Sequence, residues 1–333
     1  MIGFAIALAL AATLTPVARR AGLHFGCVDK PTGWKEHHEP TPHLGGIAVL
    51  AAASAGSLAT SEIRTVAVLL GLAWLFGLVG TADDVFNLDV RLRLLFEVVG
   101  AILVWSFGFG WQFSHQNWIN LVGTVLWVVA VVNAFNILDL MDGLASSVVT
   151  AAAGGIAALA WAQHDLAASA VALALVGASL GFLPFNIARP ARIFLGDGGT
   201  MSLGFLVSAL IPMASGGAAH EPALIAPALL LFWIPLLDAA YRALKRISHG
   251  VSLMTAGHDS LADTLQRRLS APLRVAVLAG GTQALCSGLG IGVIESGVEV
   301  EIAAVPIATS LVIVCAAAFS DTKAAVAPAP SRR

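Results

Sequence analysis

The chain has 333 residues, of which 58% are hydrophobic and 11% charged, with a formal net charge of −2. A mean hydropathy of +0.85 is more apolar surface than a water-soluble domain of this length can present to solvent, so the sequence reads as an all-α integral membrane protein. The near-neutral charge carries no signature of a nucleic-acid partner, and none is expected.

Eleven mostly apolar stretches follow in chain order, near residues 2–17, 45–60, 65–81, 94–110, 118–137, 144–162, 167–184, 200–214, 222–240, 272–291 and 300–319. Each approaches the ~20 residues that carry a helix across about 30 Å of hydrocarbon, where a helix satisfies its own backbone hydrogen bonds. If the first stretch runs from outside to inside, 17 of the 18 basic residues fall on the cytoplasmic side and only Arg64 remains outside. The positive-inside rule therefore predicts about 11 spans, with the N-terminus outside and the C-terminus cytoplasmic. No basic residue precedes the first stretch and Arg19 and Arg20 follow it, the reverse of a secretory signal, so it reads as an uncleaved helix. Residues 1–320 form one predicted polytopic transmembrane domain, and 321–333 read as a disordered cytoplasmic tail. Cys27, Cys286 and Cys315 are too few and scattered for a disulfide framework or a metal site.

Polar residues interrupt this apolar pattern at four places. The first cytoplasmic loop, VDKPTGWKEHHEPTPHLGG, holds Lys30, Lys35, His37, His38 and His43; soft metals want a tighter ligand set, so anion binding is the better reading. Asp83 and Asp84 close the third span, where adjacent carboxylates at a helix end repel unless a cation or donor lies between them. Arg91 and Arg93 follow in the same segment, and that mixture of signs suits a site handling phosphates with a metal.

The fifth span ends VVNAFNILDLMDGLAS, with Asn133, Asn136, Asp139 and Asp142 at successive spacings of three, a slowly turning stripe if the helix continues. A carboxylate at mid-bilayer costs about 2.5–3.5 kcal/mol, less near the interface, so such a stripe points to a site; interhelical bonding explains the asparagines alone but explains the aspartates poorly. Between the seventh and eighth spans lies PARIFLGDGGTMSLGF, carrying Arg192, then Gly196, Gly198 and Gly199 around Asp197, with Thr200 placed to cap a new helix. Glycines leave N–H groups free at a helix start, and an aspartate there suits holding Mg²⁺ against a diphosphate. The last large loop, 241–271, carries Asp259, Asp263, Arg267 and Arg268 on a predicted short helix, where Asp263 and Arg267 are spaced to pair.

In order and spacing these segments resemble the polyprenyl-phosphate N-acetylhexosamine-1-phosphate transferases, the membrane family that begins lipid-linked glycan synthesis. DKPTGWKEHHEPTPHLGG is similar to that family's DKPxxRKxHxxPxPRxGG, ADDVFNLDVRLR to DDxxxLxxxxK, NAFNILDLMDGLA to NxxNxxDGxDGLA, and PARIFLGDGGTMSLGF to PAKxFMGDxGSxxLGF. The DKP segment and overall length look more like the undecaprenyl-phosphate GlcNAc-1-phosphate branch, which initiates O-antigen, teichoic-acid or related surface polymers, than like the muramoyl-pentapeptide branch.

The resemblance implies eleven helices and transfer of a sugar-1-phosphate from a UDP-sugar to undecaprenyl phosphate with release of UMP, at the cytoplasmic face of an inner (plasma) membrane. It implies Mg²⁺, with Mn²⁺ as the alternative ion. Asp197 and Asp84 are the metal candidates; Asp83 or Asp84 would position or deprotonate the lipid phosphate; Asp139 and Asp142 complete the catalytic set. Lys35, His37, Asn133, Asn136, Arg192, Gly196, Gly199, Asp263 and Arg268 are the expected substrate contacts. The partners expected are the two substrates, the bilayer and a second copy of the chain.

Three departures stand out. The family's His-rich DHLHHRL is matched here only by Asp263-Thr264-Leu265-Gln266-Arg267-Arg268-Leu269; Glu39 and His43 replace basic residues; Leu140 replaces a glycine. A catalytically silent relative acting as an assembly partner is therefore a competing expectation, opposed by the retained aspartates. An ion-coupled transporter is another, opposed by carboxylates lying at helix ends rather than at midplane in two related halves.

Overall fold

The computed structural model describes residues 1–29, 40–59, 62–216, 225–253, 257, 259–269, 271–296 and 301–320. Lys35 and His37, and the tail from 321, lie outside the described residues.

Among the described residues thirteen α-helices follow one another: α1 (Ile2–Phe25), α2 (Gly45–Ser57), α3 (Ile63–Phe86), α4 (Val90–Ser106), α5 (Asn117–Leu138), α6 (Leu144–Ala162) and α7 (Leu166–Asn186), then α8 (Gly196–Ala214), α9 (Ile225–Leu229), α10 (Trp233–Ser248), α11 (Leu261–Leu269), α12 (Pro272–Ser296) and α13 (Glu301–Ser320). Between α1 and α2, Val28–Asp29 (β1) pairs antiparallel with Thr41–Pro42 (β2), Val28 opposite Pro42. Among the described residues, each of the eleven predicted apolar stretches overlaps a helix. Among the described residues eight helices are long and apolar enough to cross a membrane: α1, α3, α5, α6, α7, α8, the broken helix Ile225–Ser248, and α12. α2 and α4, at 13 and 17 residues, and the apolar portion Ala304–Ile313 of α13 are shorter than the ~20 residues a perpendicular crossing needs. The chain is thus a multi-pass all-α membrane protein.

α8 is the axis of the bundle, with 89% of its apolar window buried against 17% for α1. It packs on α3, α5, α2 and α6, while α1 packs on α7 and α2. Both kinds of helix are apolar around their whole circumference, as lipid and a protein interior equally require. On α8, Gly198, Gly199 and Gly204 let neighbouring helices approach closely. Gly46 of α2 and Gly199 of α8 meet backbone to backbone: a Cβ on Gly46 would lie 2.0 Å from the Cα of Gly199.

The spanning segment Ile225–Ser248 is interrupted at the 3₁₀ turn Leu230–Phe232. Pro235 brings no N–H to the ladder there. Gln283 of α12 takes up the freed groups, donating from Nε2 to Leu230 O at 3.0 Å and accepting from Ile234 N at 3.0 Å. A break at membrane depth is tolerated where a neighbouring helix re-satisfies the backbone in this way.

Candidate active site at the helix ends

α3 stops at its aspartates. Asn87 takes the left-handed conformation (φ 50°) and donates its N–H to Asp83 O at 2.8 Å, while Leu88 N donates to Asp83 Oδ1 at 2.8 Å. The other oxygen, Oδ2, accepts from Nη1 of Arg93 at 2.9 Å. Asp83, 9% exposed, is therefore tied on both oxygens and acts as an anchor for Arg93. That leaves Asp84 as the better placed of the pair to meet a substrate.

α8 starts four residues earlier than the sequence suggested. Gly196 begins the helix, and Thr200, expected as its cap, sits fully buried inside it. Gly196 has φ +75°, and a side chain there would meet His43 O at 2.2 Å and Asp84 Oδ2 at 2.8 Å, so only glycine fits. Asp197 thus occupies the first turn, where the helix N-terminus favours negative charge. Asn136 of α5 donates Nδ2 to Asp197 Oδ1 at 2.8 Å and to Thr200 Oγ1 at 2.9 Å. Gly198 N donates to Asp84 Oδ2 at 3.3 Å, joining α8 to α3.

A short extended segment locks the loop before α8 in place. Phe194 N donates to Pro42 O (2.8 Å), Gly45 N to Phe194 O (3.0 Å) and Gly46 N to Leu195 O (2.8 Å). His43 is thereby held with Nδ1 3.5 Å from Asp84 Oδ2. Burial alone would lower the pKa of His43, but the charges of Asp84, Asp29 and Asp197 outweigh it and hold the imidazole above its ordinary range.

The predicted four-residue stripe is broken, which corrects the helical reading of its second half. α5 ends at Leu138, Asp139 and Asp142 lie in the turn that follows, and Gly143 (φ 80°) opens α6. Asn186 secures this turn, accepting from Gly143 N at 2.8 Å and donating to Ile193 O at 3.1 Å. The two asparagines also diverge: Asn136 serves Asp197, whereas Asn133 donates to Oε2 of Glu97 at 2.5 Å. Asp139 is half-buried, and burial first, then the charges of Asp197, Asp84 and Asp142, push its carboxyl up to about 8. Asp197, Asp84 and Asp142 are thus all within electrostatic reach of Asp139.

Other expected contacts go elsewhere. Gly199 packs on Gly46. Arg192 is exposed, its carbonyl accepting from Arg19 Nε at 3.0 Å. Arg268 is exposed on α11. The pairing of Asp263 with Arg267 suggested by their spacing is not what starts this helix: Asp263 Oδ2 accepts from Ser260 N (3.0 Å) and its N–H donates to Ser260 Oγ (3.0 Å), a reciprocal box at the head of α11, while Arg267 donates to Thr264 Oγ1 at 3.1 Å. Arg246 and Arg242 both hold Asp259, at 2.6 and 3.2 Å, fixing the segment that leads into this helix.

Two residues absent from the sequence-level site belong to it. Glu97 was hidden within LRLLFEVVGAIL; its signal is a lone carboxylate in an apolar span. Asn186 was hidden at the end of the seventh stretch.

The family resemblance implies a magnesium ion at this place. Among the described residues no three His, Cys, Asp or Glu side chains converge to ligate an ion by themselves. The donors present fit the looser mode in which Mg²⁺ takes one or two carboxylates and completes its shell with water and substrate phosphate oxygens. Asp84 and Asp197 are hard oxygen donors bridged by the first turn of α8, and the crowding that raises Asp139 is what an added cation would relieve.

The sequence profile described as Glycosyl transferase family 4 matches residues 66–215, which include Asp83, Asp84, Asn136, Asp139 and Asp197. A Bacillus subtilis (strain 168) phospho-N-acetylmuramoyl-pentapeptide-transferase is 30% identical over 231 residues, covering 61% of this chain and 70% of that protein. The chain belongs to glycosyl transferase family 4. Two further relatives match over more of its length. A Bacillus subtilis (strain 168) protein named "Probable undecaprenyl-phosphate N-acetylglucosaminyl 1-phosphate transferase" is 29% identical over 259 residues, 74% of this chain and 72% of the relative. The undecaprenyl-phosphate alpha-N-acetylglucosaminyl 1-phosphate transferase of Escherichia coli (strain K12) is 26% identical over 290 residues, 82% and 78% respectively.

Proposed function

We propose that this chain transfers N-acetylhexosamine-1-phosphate from a UDP-sugar to undecaprenyl phosphate, releasing UMP, at the cytoplasmic face of a plasma membrane, as the first step of a lipid-linked surface glycan. The relatives' names support the acceptor and the reaction class. The observation that carries the reading is the convergence of Asp84, Asp197 and Arg93 at the ends of membrane helices: Arg93 Nη1 lies 2.9 Å from Asp83 Oδ2 and 4.0 Å from Asp197 Oδ2, and Gly198 N bonds Asp84. Acidic groups for a divalent cation and a guanidinium for phosphate oxygens stand together at helix ends, which supports a site open to a lipid phosphate.

An oxygen of the lipid phosphate attacks the sugar-bearing phosphorus of the donor, the bridging P–O bond breaks, and UMP leaves with the electron pair. Both reactants are anions, so the reaction needs positive charge in place before they meet. Bound Mg²⁺ would screen that repulsion and stabilise the departing phosphate. Arg93 contributes donors that match phosphate oxygens. Asp83 keeps Arg93 in the cleft, and Asn136 holds Asp197 in one orientation. Asp84 and His43 border the side of α2, where Asp84 orients the acceptor. The loop from Ser260 to Leu269 stands where the family's His-rich motif would lie, and sugar choice is assigned to it.

The test is UMP release by detergent-purified protein with undecaprenyl phosphate, Mg²⁺ and each of several UDP-N-acetylhexosamines, with and without EDTA. Chelator-sensitive release is expected with one donor, and Asp197→Ala should abolish it. Undiminished release by Asp197→Ala would refute the assignment of the site.

A further inference from the structure

Arg93 is approached from two sides. Its Nη1 faces Asp83 and Asp197, at 2.9 and 4.0 Å. Its Nε lies 3.9 Å from Oε1 of Glu97, one turn further along α4. Glu97 is completely buried, and its second oxygen accepts from Asn133, which also donates to Val129 O at 2.9 Å. Arg93 Nε and Glu97 Oε1 are both buried without a hydrogen-bond partner. They are opposite in charge and complementary as donor and acceptor, and closing from 3.9 Å to the ordinary ~2.9 Å would satisfy both. A buried donor and acceptor left open against each other are costly, so the arrangement favours whatever event closes them.

We propose that Glu97 is a positioning residue for Arg93: when the donor diphosphate enters the cleft, the Nη groups of Arg93 turn to phosphate oxygens while Glu97 closes on Nε and holds the guanidinium from behind. This rests on the transfer reading above. Only arginine allows such a grip, because its planar fork presents Nε and the terminal nitrogens as separate donors, whereas a lysine ammonium is a single point. Asn133 belongs to the same device: it fixes Glu97 and so α4 against α5, which is why it points away from Asp197. The competing account is that Glu97 only ties α4 to α5 through Asn133. That role needs an acceptor oxygen at the end of the side chain, which glutamine also supplies, and it does not depend on residue 93.

The experiment is a double-mutant cycle on the full-length, detergent-purified protein: wild type, Glu97→Gln, Arg93→Lys and the double variant. Steady-state kcat and KM for the UDP-sugar are measured with undecaprenyl phosphate and Mg²⁺, together with the thermal midpoint and the dissociation constant for the UDP-sugar without acceptor. With Arg93 present, Glu97→Gln is expected to lower kcat/KM and weaken donor binding by about ten- to a hundred-fold, at an unchanged or raised thermal midpoint, since a buried charge has been removed. In the Arg93→Lys background, the same change should cost less than about three-fold, because the partner atom is gone. Equal losses in both backgrounds, or wild-type kinetics for Glu97→Gln, would overturn the proposal. If Glu97→Gln does not fold, Glu97→Asp, which keeps the charge but withdraws it by one methylene, takes its place with the same dependence on Arg93 expected. Wild-type turnover without coupling removes only the role of Glu97, whereas a wild type silent with every donor removes the transfer reading and this proposal with it.

Discussion

Asn136 donates to Asp197 at 2.8 Å across a sequence separation of 61 residues, and the same amide nitrogen reaches Thr200 Oγ1. The pair ties the end of α5 to the first turn of α8 and leaves Asp197 one orientation. Removing that restraint with Asn136→Ala should lower UMP release about ten- to a hundred-fold, the range for residues that orient a ligating group. The thermal midpoint should change little, because Asn136 is only partly buried. Steady-state assay beside a melting curve separates the two effects.

Gly46 and Gly199 set how closely α2 and α8 pack, and so where His43 and Gly196 stand relative to Asp84. Gly46→Ala places a methyl 2.0 Å from the Cα of Gly199 and 2.2 Å from its N. Backbone cannot yield as a side chain does, so a loss of about 1–3 kcal/mol is expected. Gly154→Ala, on a face of α6 with nothing within 4 Å of the new methyl, is the control and should be neutral or mildly stabilising. Denaturation midpoints in one detergent decide the comparison.

Gln283 serves both sides of the break in the spanning segment Ile225–Ser248. Gln283→Leu keeps the volume but strands Leu230 O and Ile234 N, which should cost about 1–3 kcal/mol. Since the break lies outside the aspartate cluster, the protein that remains folded should keep its KM. Thermal unfolding with parallel kinetics tests both halves.

Asp139, outside the spanning part of α5, has a folded-state carboxyl pushed up to about 8 by burial and by Asp197, Asp84 and Asp142. The ordinary value in the unfolded chain is about 3.9. Between these values the folded state binds the extra proton, so stability should fall as pH rises through that window and level off above about 8. In EDTA the melting midpoint is therefore expected to drop between about pH 5 and 8. Added Mg²⁺ should flatten the slope by offsetting the neighbouring charges. A midpoint independent of pH in EDTA would show that Asp139 is not held protonated.

The helices were legible because lipid demands long apolar runs, and among the described residues each of the eleven runs carries helix, the run 222–240 in broken form. Their lengths were less so: α2 and α4 fall short of a full crossing, and a hydropathy pattern does not register where a chain turns inside a protein-lined interior. The aspartates were legible because a carboxylate in an apolar span is costly and stands out. The same reasoning extended α5 through Asp139 and Asp142, since spacing alone cannot see the turn that Gly143 permits and Asn186 secures.

Local chemistry along the chain was enough to establish a many-helix membrane protein and to single out Asp83, Asp84, Asn136, Asp139, Asp142 and Asp197, together with the family they resemble. Only the structure decided their division of labour. Asp83 is an anchor because Leu88 and Arg93 take both its oxygens, Asn133 turns to Glu97, Gly199 serves packing, and Asp263 starts a helix. Asn133 with Glu97 and Gly199 with Gly46 join segments far apart in sequence and are specified by the fold, whereas the bonds of Asp83 to Leu88 and Arg93 and of Asp263 to Ser260 are local ones that the helix ends bring within about 3 Å.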